Sequence, residues 1–439
     1  MIKVSCSGRL HWVAALAIAL VGWSGGAVPL PAQDLPRARP GQVGLDPDRL
    51  QRLPEALRAY VDEGRLPGGV ILVTRRGGVA LQEAFGYRDR EARDPMEPDD
   101  LFRIASQTKA LVSTAAMILV EEGRLLLSDP VGRHLPEFLE TTVAVAGEAG
   151  VYDVVKADRA VTIRDLLTHT SGVGYGGGVA ADRWEAAGIT GWYFAHQDEP
   201  VGATVARMAD LPFESQPGER WVYGYSTDIL GAVVEVVSGL TLDAFLQARL
   251  LEPLGMKDTH FYVPREDRDR LVAVYSLDDS GLARAPDPGG MVGQGAYVDG
   301  PRTSFSGGAG LLSTAEDYAR FLQMILNGGE LDGVRILSPK TVELMTADHV
   351  GHLLDDQPGW DGLGFGLGFS IVKDLGSQGA YGSVGEYGWG GAYHSVYWVD
   401  PAEELVVVYL TQVIPADGLD DHNRVRSLVY QAIVDGGRR

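Results

Sequence analysis

The first regular pattern of apolar positions lies between Asp46 and Glu63, and it predicts an amphipathic helix that stops at Gly64. The next segment, residues 68–89, consists of two apolar runs on either side of Arg76-Gly77-Gly78, which predicts a β-hairpin. A helix followed by a hairpin indicates a layered domain of helices and strands. The apolar positions of the predicted helix are Leu50, Leu53, Leu57 and Val61.

The middle of the chain is helical and rich in loops, from Ser106 to about Gly239. The segments "TIRDLLTHTSG" and "TDILGAVVEVVSG" both have helical spacing and both end at a glycine. A further helix is predicted within "GGAGLLSTAEDYARFLQMILNGG". Strand character then returns before a closing helix over residues 423–434. The predicted late strands are "FGLGFSIVKD", "WGGAYHSVYWVD" and "ELVVVYLTQV".

Because strands occupy both ends of the chain and helices the middle, the simplest fold belongs to the α+β class. We expect an antiparallel β-sheet flanked by helices, built from both chain ends, with a mainly helical domain inserted. The predicted boundaries are 33–105 and 301–439 for the two parts of the α/β domain and 106–300 for the helical domain. A chain of 439 residues is long enough for two such units.

Residues 1–32 have the order of a secretory signal peptide. Lys3 and Arg9 precede an apolar run from Trp12 to Trp23, which small residues and proline follow. We predict cleavage after Ala32, a periplasmic or secreted location, and no stable membrane insertion after cleavage. A retained membrane anchor is the alternative, although the apolar run is short for a bilayer span.

The formal net charge of −21 argues against nucleic acid as a partner. The only cysteine, Cys6, lies in the predicted signal peptide, so thiol catalysis, disulfides and cysteine-ligated metal are not expected in the mature chain. His349 and His352 form an isolated His-x-x-His pair that no carboxylate or cysteine set completes, so we assign them to the surface. No metal or organic cofactor is predicted.

The pattern Ser-x-x-Lys occurs at Ser106/Lys109 and again at Ser370/Lys373. Ser370 lies in an alternating segment, where side chains three positions apart on a strand point to opposite faces. Ser106 instead begins a strongly helical run, so its hydroxyl shares a face with the Lys109 amine. Backbone N–H groups at a helix start also favour developing negative charge.

A serine hydroxyl becomes a good nucleophile only when a base takes its proton, and Lys109 is placed to do so if its pKa is lowered. The alternative is that Ser106 merely caps the helix and Lys109 is a solvated side chain. The four residues from Ser106 to Lys109 leave both interpretations open.

Four further motifs follow in order, and together with the first they give a specific signal. The series resembles the serine β-lactamase-like superfamily, in particular the branch of class C β-lactamases, D-alanyl-D-alanine carboxypeptidases and family VIII esterases. The likeness runs from about Asp46 to the C-terminus. The four motifs are "LTHTSG" (167–172), "PGERWVYGYSTDILGAVVEVVSG" (217–239), "GGAGLLSTAEDYARFL" (307–322) and "YGWGGAYHSVYWVDP" (387–401).

The resemblance implies that Tyr223 is the catalytic tyrosine that shares proton transfer with Lys109. Tyr225 competes for this role because it begins a Tyr-Ser pair, but the spacing from Trp221 and from Asp228 favours Tyr223. In this family "HTSG" is a structural turn, so no direct chemistry is assigned to its histidine and serine.

The family's third motif, Lys-Thr-Gly or His-x-Gly on an edge strand, is replaced here by Trp389-Gly390-Gly391. The resemblance implies that the backbone N–H of the next residue, Ala392, forms the oxyanion hole together with the N–H of Ser106. Trp389 supplies no charge for a substrate carboxylate, and Tyr225 occupies the place of an asparagine that would bind a substrate amide. Both changes favour a neutral, small-molecule ester.

These residues predict a secreted serine hydrolase that cleaves carboxylic esters through a Ser106 acyl-enzyme. The predicted substrate-binding residues are Tyr225, Trp389, Gly390, Gly391 and His394, and packing in the sheet is the alternative for His394. A β-lactamase or D-amino-acid peptidase is the alternative within the enzyme class, and a non-catalytic cell-wall or partner-binding protein is the alternative outside it. The glycine- and aromatic-rich segment 173–200 is a hypothetical lid. The sequence predicts no oligomeric state.

Overall fold

The computed structural model describes residues 1–3, 34–147, 150–355 and 357–435. Cys6 and nearly all of the predicted signal peptide lie outside the described residues, so that assignment stays a prediction. In the part of the chain that is described, no single helix has both the length and the apolar character needed to cross a membrane. The helices at Ser226–Ser238 and Leu242–Leu254 reach that length only together, and they are bent by 75°.

An eight-stranded antiparallel sheet forms the centre of the fold, in the order β12-β13-β14-β15-β16-β1-β2-β3. The strands are β1 (Gly68–Arg75), β2 (Gly78–Asp89), β3 (Asp94–Pro95), β4 (Phe102–Arg103), β5 (Thr142–Ala146), β6 (Tyr152–Lys156), β7 (Tyr275–Asp278), β8 (Gly281–Arg284), β9 (Leu312–Ser313), β10 (Glu330–Leu331), β11 (Val334–Arg335), β12 (Leu363–Phe365), β13 (Ser370–Val372), β14 (Tyr387–Gly391), β15 (Ser395–Asp400), β16 (Leu405–Leu410) and β17 (Val413–Ala416).

Helices cover both faces of this sheet and fill the middle of the chain. They are α1 (Pro47–Asp62), α2 (Thr108–Glu121), α3 (Ile163–Leu167), α4 (Ala181–Ala186), α5 (Val201–Met208), α6 (Ser226–Ser238), α7 (Leu242–Leu246), α8 (Glu252–Leu254), α9 (Ala315–Leu326), α10 (Pro339–Met345), α11 (Leu375–Gln378) and α12 (Asp421–Tyr430).

The two ends of the chain meet at the centre of the sheet, where β1 pairs with β16 and Val70 lies opposite Leu410. Every residue of both strands is buried, because helices lie on each face. On one face Leu72 packs in the cluster that includes α2, α6 and α9. On the other face Ile71 packs with α1 and α12. This topology confirms the predicted α+β fold with a sheet built from both chain ends.

Two segments that were predicted as single strands are each divided by a turn. Residues 365–374 form the end of β12 and all of β13, and Gly368 between them has φ +100°. Residues 389–400 form the end of β14 and all of β15, and His394 between them has φ +63°. The positive φ of each residue belongs to a turn that reverses the chain, but the apolar alternation runs through both turns and hides them.

Candidate active site

Ser106 lies in a tight 3-10 turn, Ala105–Gln107, that leads directly into α2. Ala105 is fully buried and has φ +42°, a conformation that residues with a Cβ rarely adopt. Such strain persists only where the surrounding packing fixes the backbone. The Ser106 hydroxyl caps neither the turn nor the helix, and its one hydrogen bond in the described structure comes from Lys109.

The Lys109 ammonium is buried beneath this turn, with only 2% of the residue exposed. Its Nζ donates to Gly308 O at 2.8 Å, to the Tyr175 hydroxyl at 3.0 Å and to Ser106 Oγ at 3.4 Å. These three bonds use all three of its N–H donors. The predicted serine–lysine pair is therefore in contact.

Tyr223 lies on the other side of the lysine, with the centre of its ring 4.6 Å from Lys109 Nζ. The Trp389 indole donates a hydrogen bond to the Tyr223 hydroxyl at 3.0 Å. The ring of His169 lies 4.8 Å from the Tyr223 ring. Burial, and then the Lys109 ammonium, lowers the pKa of His169 well below its ordinary value, so this imidazole is neutral.

The expectation for Tyr225 is wrong, because this residue does not reach the site. Its side chain is fully buried, and its hydroxyl donates to Gly191 O at 2.6 Å. The ring is stacked on Trp184 and touches Phe194, on the side of the segment 173–200. Tyr225 is thus a core residue that fastens this segment to the start of α6, and it offers substrate neither a hydroxyl nor a surface.

The end of β14 packs directly against the turn that carries Ser106. A Cβ on Gly391 would lie 2.6 Å from Ile104 O, so only glycine allows this approach. Ala392 follows at once, and it lines the same cavity as Ser106. The two residues predicted to supply the oxyanion-hole N–H groups are thereby held on adjoining walls.

A cavity of about 500 Å³ opens above these residues. It contains every predicted site residue except Lys109, which lies behind Ser106, and Tyr225, which lies in the core. No lysine or arginine is among its lining residues in the described parts of the chain. The lining consists of Ser106, Tyr175, Trp192, Tyr223, Trp389, Gly390, Gly391, Ala392, His394, Ser395, Val396, Ala416 and His422.

Tyr175 and Trp192 are site residues that the sequence did not identify individually. Both belong to the segment 173–200, the hypothetical lid, and both line the cavity. Burial and the neighbouring Tyr223 raise the pKa of Tyr175 well above its ordinary value, so its hydroxyl stays protonated while it accepts the Lys109 bond. The only sequence signal was the density of aromatic residues and glycines in this segment.

His394 lines the cavity at the turn between β14 and β15, and its Nε2 lies 2.7 Å from Asp421 Oδ1. The His394 ring is stacked on that of His422, with centroids 4.0 Å apart and planes 16° apart. Asp421, His394 and His422 are close enough together to suggest a metal site. An ion must lie in the plane of each imidazole at about 2 Å, and two nearly parallel planes cannot share such a point. In this arrangement, the cluster does not fit a metal ion.

The second Ser-x-x-Lys pair is separated, as its strand pattern predicts. Ser370 donates to Gly388 O at 2.8 Å, whereas Lys373 donates to Gly351 O and forms an ion pair with Asp348. The His-x-x-His pair is divided as well. His352 is exposed, but His349 is partly buried and hydrogen-bonded to Leu344 O. The hydroxyl of Ser171, in "HTSG", bonds to that of Ser226 inside the core.

Comparison with known proteins identifies the family. The family model described as Beta-lactamase matches residues 53–430, which is most of the chain. The chain belongs to the Beta-lactamase family. Together with the esterases and the hydrolase among its relatives, this membership makes it a serine hydrolase.

Similar proteins cover nearly the same span. Protein Rv1367c of Mycobacterium tuberculosis is 37% identical over 380 residues, which are 83% of this chain and 90% of that protein. Esterase EstB of Burkholderia gladioli is 35% identical over 400 residues, which are 84% of this chain and 94% of EstB. The structure of EstCE1, a hydrolase with promiscuous acyltransferase activity, has a TM-score of 0.76 at 29% identity and covers 87% of this chain and 99% of that one.

The contact between β14 and the Ser106 turn predicts that alanine substitution lowers activity more at Gly391 than at Gly390. Gly391→Ala should lower kcat/KM for an ester by at least about tenfold, because the clash with Ile104 O is between backbone segments and displaces one wall of the site. Gly390→Ala is the matched control and should lose less, since its nearest atom, Ser395 O, is 3.3 Å away. Steady-state kinetics of both purified variants checks this. An equal loss in both would contradict it.

The buried His422 predicts a pH-dependent stability. Burial, and then His394, lowers the pKa of His422 from 6.5 to about 4, while Asp421 opposes this and Arg426 adds to it. Between pH 6.5 and about pH 4, His422 binds a proton in the unfolded chain but not in the folded one. The free energy of unfolding therefore falls as the pH drops through this window, by about 3 kcal/mol for this group. His422→Gln should lose correspondingly less stability between pH 7 and pH 4 in urea titrations. Equal losses in both proteins would refute this.

Proposed function

We propose that the chain is a secreted or periplasmic carboxylesterase that works through an acyl-enzyme on Ser106. The observation that carries this proposal is the buried Lys109 ammonium, which reaches both Ser106 Oγ and the Tyr175 hydroxyl and lies over the Tyr223 ring. An isolated buried cation is costly, so its place beside a serine that caps no helix is better explained by chemistry than by folding. Secretion rests on the sequence of residues 1–32 alone.

In the proposed reaction, Lys109 and Tyr223 act together as the proton-transfer pair. The Trp389 N–H donates to the Tyr223 hydroxyl and the Lys109 ammonium lies over the Tyr223 ring, so both are placed beside the groups that would carry the Ser106 proton. Tyr175 fixes the direction of the lysine through its hydroxyl. We assign Tyr175 a positioning role.

Ser106 Oγ attacks the ester carbonyl, and the developing oxyanion accepts hydrogen bonds from the N–H groups of Ser106 and Ala392. The bond to the alcohol breaks, and the alcohol leaves with the proton that Ser106 gave up. Water then attacks the acyl-enzyme and gives up one proton, the acid is released, and Ser106 regains a proton from the Lys109–Tyr223 pair, which takes up one proton in place of the one that the water gave up. No metal or organic cofactor takes part in this scheme.

The lining of the cavity supports a neutral ester as substrate. Trp192, Tyr223 and Trp389 supply aromatic surface, and the described lining residues include no lysine or arginine to bind a carboxylate. The relatives EstB, an esterase, and EstCE1, a hydrolase, agree with this substrate class. A β-lactam or a peptide end would bring a carboxylate that this cavity binds poorly.

Covalent labelling tests the nucleophile. A fluorophosphonate probe should add its mass to the wild-type chain and to Ser370→Ala, but not to Ser106→Ala, because the Ser106 hydroxyl contacts Lys109 in the cavity whereas the Ser370 hydroxyl is bonded to a backbone carbonyl. Ser370→Ala is the matched control, since it removes the serine of the other Ser-x-x-Lys pair. Intact-mass spectrometry reads the result. Labelling that persists in Ser106→Ala would exclude this nucleophile, and an unlabelled wild type would favour a non-catalytic protein.

Substrate preference tests the esterase assignment against the β-lactamase alternative. We expect kcat/KM for a short p-nitrophenyl ester to exceed that for a chromogenic cephalosporin by at least about a hundredfold, because the cavity leaves the cephalosporin carboxylate without a permanent cation. Parallel steady-state assays on one preparation measure both values, and Ser106→Ala gives the background of each. Faster turnover of the cephalosporin would overturn the assignment.

A further inference from the structure

His394 is held rigidly at the edge of the cavity in a conformation that its residue type seldom adopts. It has φ +63°, its N–H donates to Gly391 O at 3.1 Å, and its carbonyl accepts a bond from Thr411 Oγ1 at 2.6 Å. Histidine is tolerated in the left-handed region, but at a cost that glycine would avoid. A strained, fixed imidazole on the wall of a cavity that contains a nucleophile calls for a chemical explanation.

The Asp421 carboxylate orients this imidazole. Asp421 is fully buried, and its second oxygen, Oδ2, accepts a hydrogen bond from the Tyr409 hydroxyl at 2.7 Å. Burial alone would raise the pKa of Asp421, but the hydrogen bonds from His394 and from Tyr409 help to hold it below its ordinary value. An ionised carboxylate only accepts, so the proton between the two residues belongs to His394 Nε2.

The other ring nitrogen of His394 is therefore a free base. With the proton on Nε2, the neutral imidazole carries a lone pair on Nδ1, and no hydrogen bond joins Nδ1 to any residue that the structure describes. The His422 ring covers one face of the imidazole, and its own Nε2 lies 3.3 Å from the His394 carbonyl. A carboxylate that fixes the tautomer of a histidine and stabilises its protonated form is the arrangement that makes histidine a general base.

We infer that His394, supported by Asp421, is a second general base of this site and takes the proton of the water that hydrolyses the acyl-enzyme. The inference rests on the proposed function, since it concerns the second half of that reaction. It assigns the first half to Lys109 and Tyr223, which lie beside Ser106, and the second half to a base on the wall formed by β14.

The protons of the second step balance when exchange with solvent is included. The water oxygen forms a bond to the acyl carbon while its proton passes to His394 Nδ1, which gives an imidazolium paired with Asp421. The bond from the acyl carbon to Ser106 Oγ then breaks, and Ser106 takes a proton from the Lys109–Tyr223 pair. When the acid leaves, His394 returns its proton to solvent, and the Lys109–Tyr223 pair, which gave the original Ser106 proton to the alcohol, regains one proton from solvent. With a separate base for water, the Lys109–Tyr223 pair serves only as the acid of this step.

Pre-steady-state kinetics with a p-nitrophenyl ester separates the two steps, because the burst reports acylation and the following slope reports deacylation. In His394→Asn, which tolerates the left-handed backbone, the burst rate should stay within about threefold and deacylation should fall at least about a hundredfold. The acyl-enzyme should then accumulate in intact-mass spectra. His352→Asn is the matched control, because His352 is exposed and does not line the cavity, and it should behave as wild type.

Two further variants keep the test decisive if His394→Asn folds poorly. His394→Gly accepts the same backbone, and added imidazole should restore its deacylation in a concentration-dependent way. Asp421→Asn keeps the shape but offers an amide N–H to Nε2, so it should slow deacylation at least about tenfold and spare the burst.

Three outcomes would overturn the inference. If a folded His394→Asn variant deacylated at the wild-type rate, His394 would only link the turn between β14 and β15 to α12. An equal fall of both steps would make it a substrate contact. Loss of wild-type deacylation in a chelator, restored by Zn²⁺, would make the cluster a metal site. A wild-type protein that shows neither burst nor Ser106 acylation would instead refute the proposed function.

Discussion

The buried Lys109 ammonium is the constraint on which the whole site depends. A cation removed from water must have each of its donors satisfied, and the three acceptors here come from three separate parts of the chain, at Ser106, Tyr175 and Gly308. Gly308 is held in turn by the buried Asp228, whose Oδ1 accepts its N–H at 3.0 Å. A Cβ on Gly308 would fall 2.4 Å from this carboxylate. The environment of one amine thus fixes the backbone on three sides.

An aromatic cluster packs against the Tyr223 side of this site. Trp221 is stacked on Tyr223, and Trp360 and Phe365 pack against Trp221 and Trp389. Apolar surroundings lower the local dielectric constant, so the interaction of the Lys109 ammonium with its neighbours is stronger here than in water. Two members of the cluster, Tyr223 and Trp389, also line the cavity and supply apolar surface there. The proposed proton transfer and the proposed selectivity for uncharged substrates would therefore have a common physical basis.

The sequence predicted what depends on short-range spacing. Ser106 and Lys109 are three positions apart at a helix start, and this spacing in a helical segment brings them together, whereas the same spacing on a strand separates Ser370 from Lys373. The sheet built from both chain ends also followed from the order of strands and helices. The side chains of Tyr223 and Tyr225 diverge in the loop before α6, and no pattern of polarity encodes that divergence. Contacts between distant segments were missed for the same reason, as with Tyr175 on Lys109 and Asp421 on His394.

The pairing of β1 with β16 has a consequence for when the protein can first be active. The proposed nucleophile, Ser106, lies early in the chain, but the strand that closes its cavity, β14, reaches the sheet through β15 and β16. A growing chain therefore carries Ser106 for most of its synthesis without the facing wall. Catalytic competence is postponed until the last strands have joined the first, which couples the onset of hydrolysis to completion of the fold.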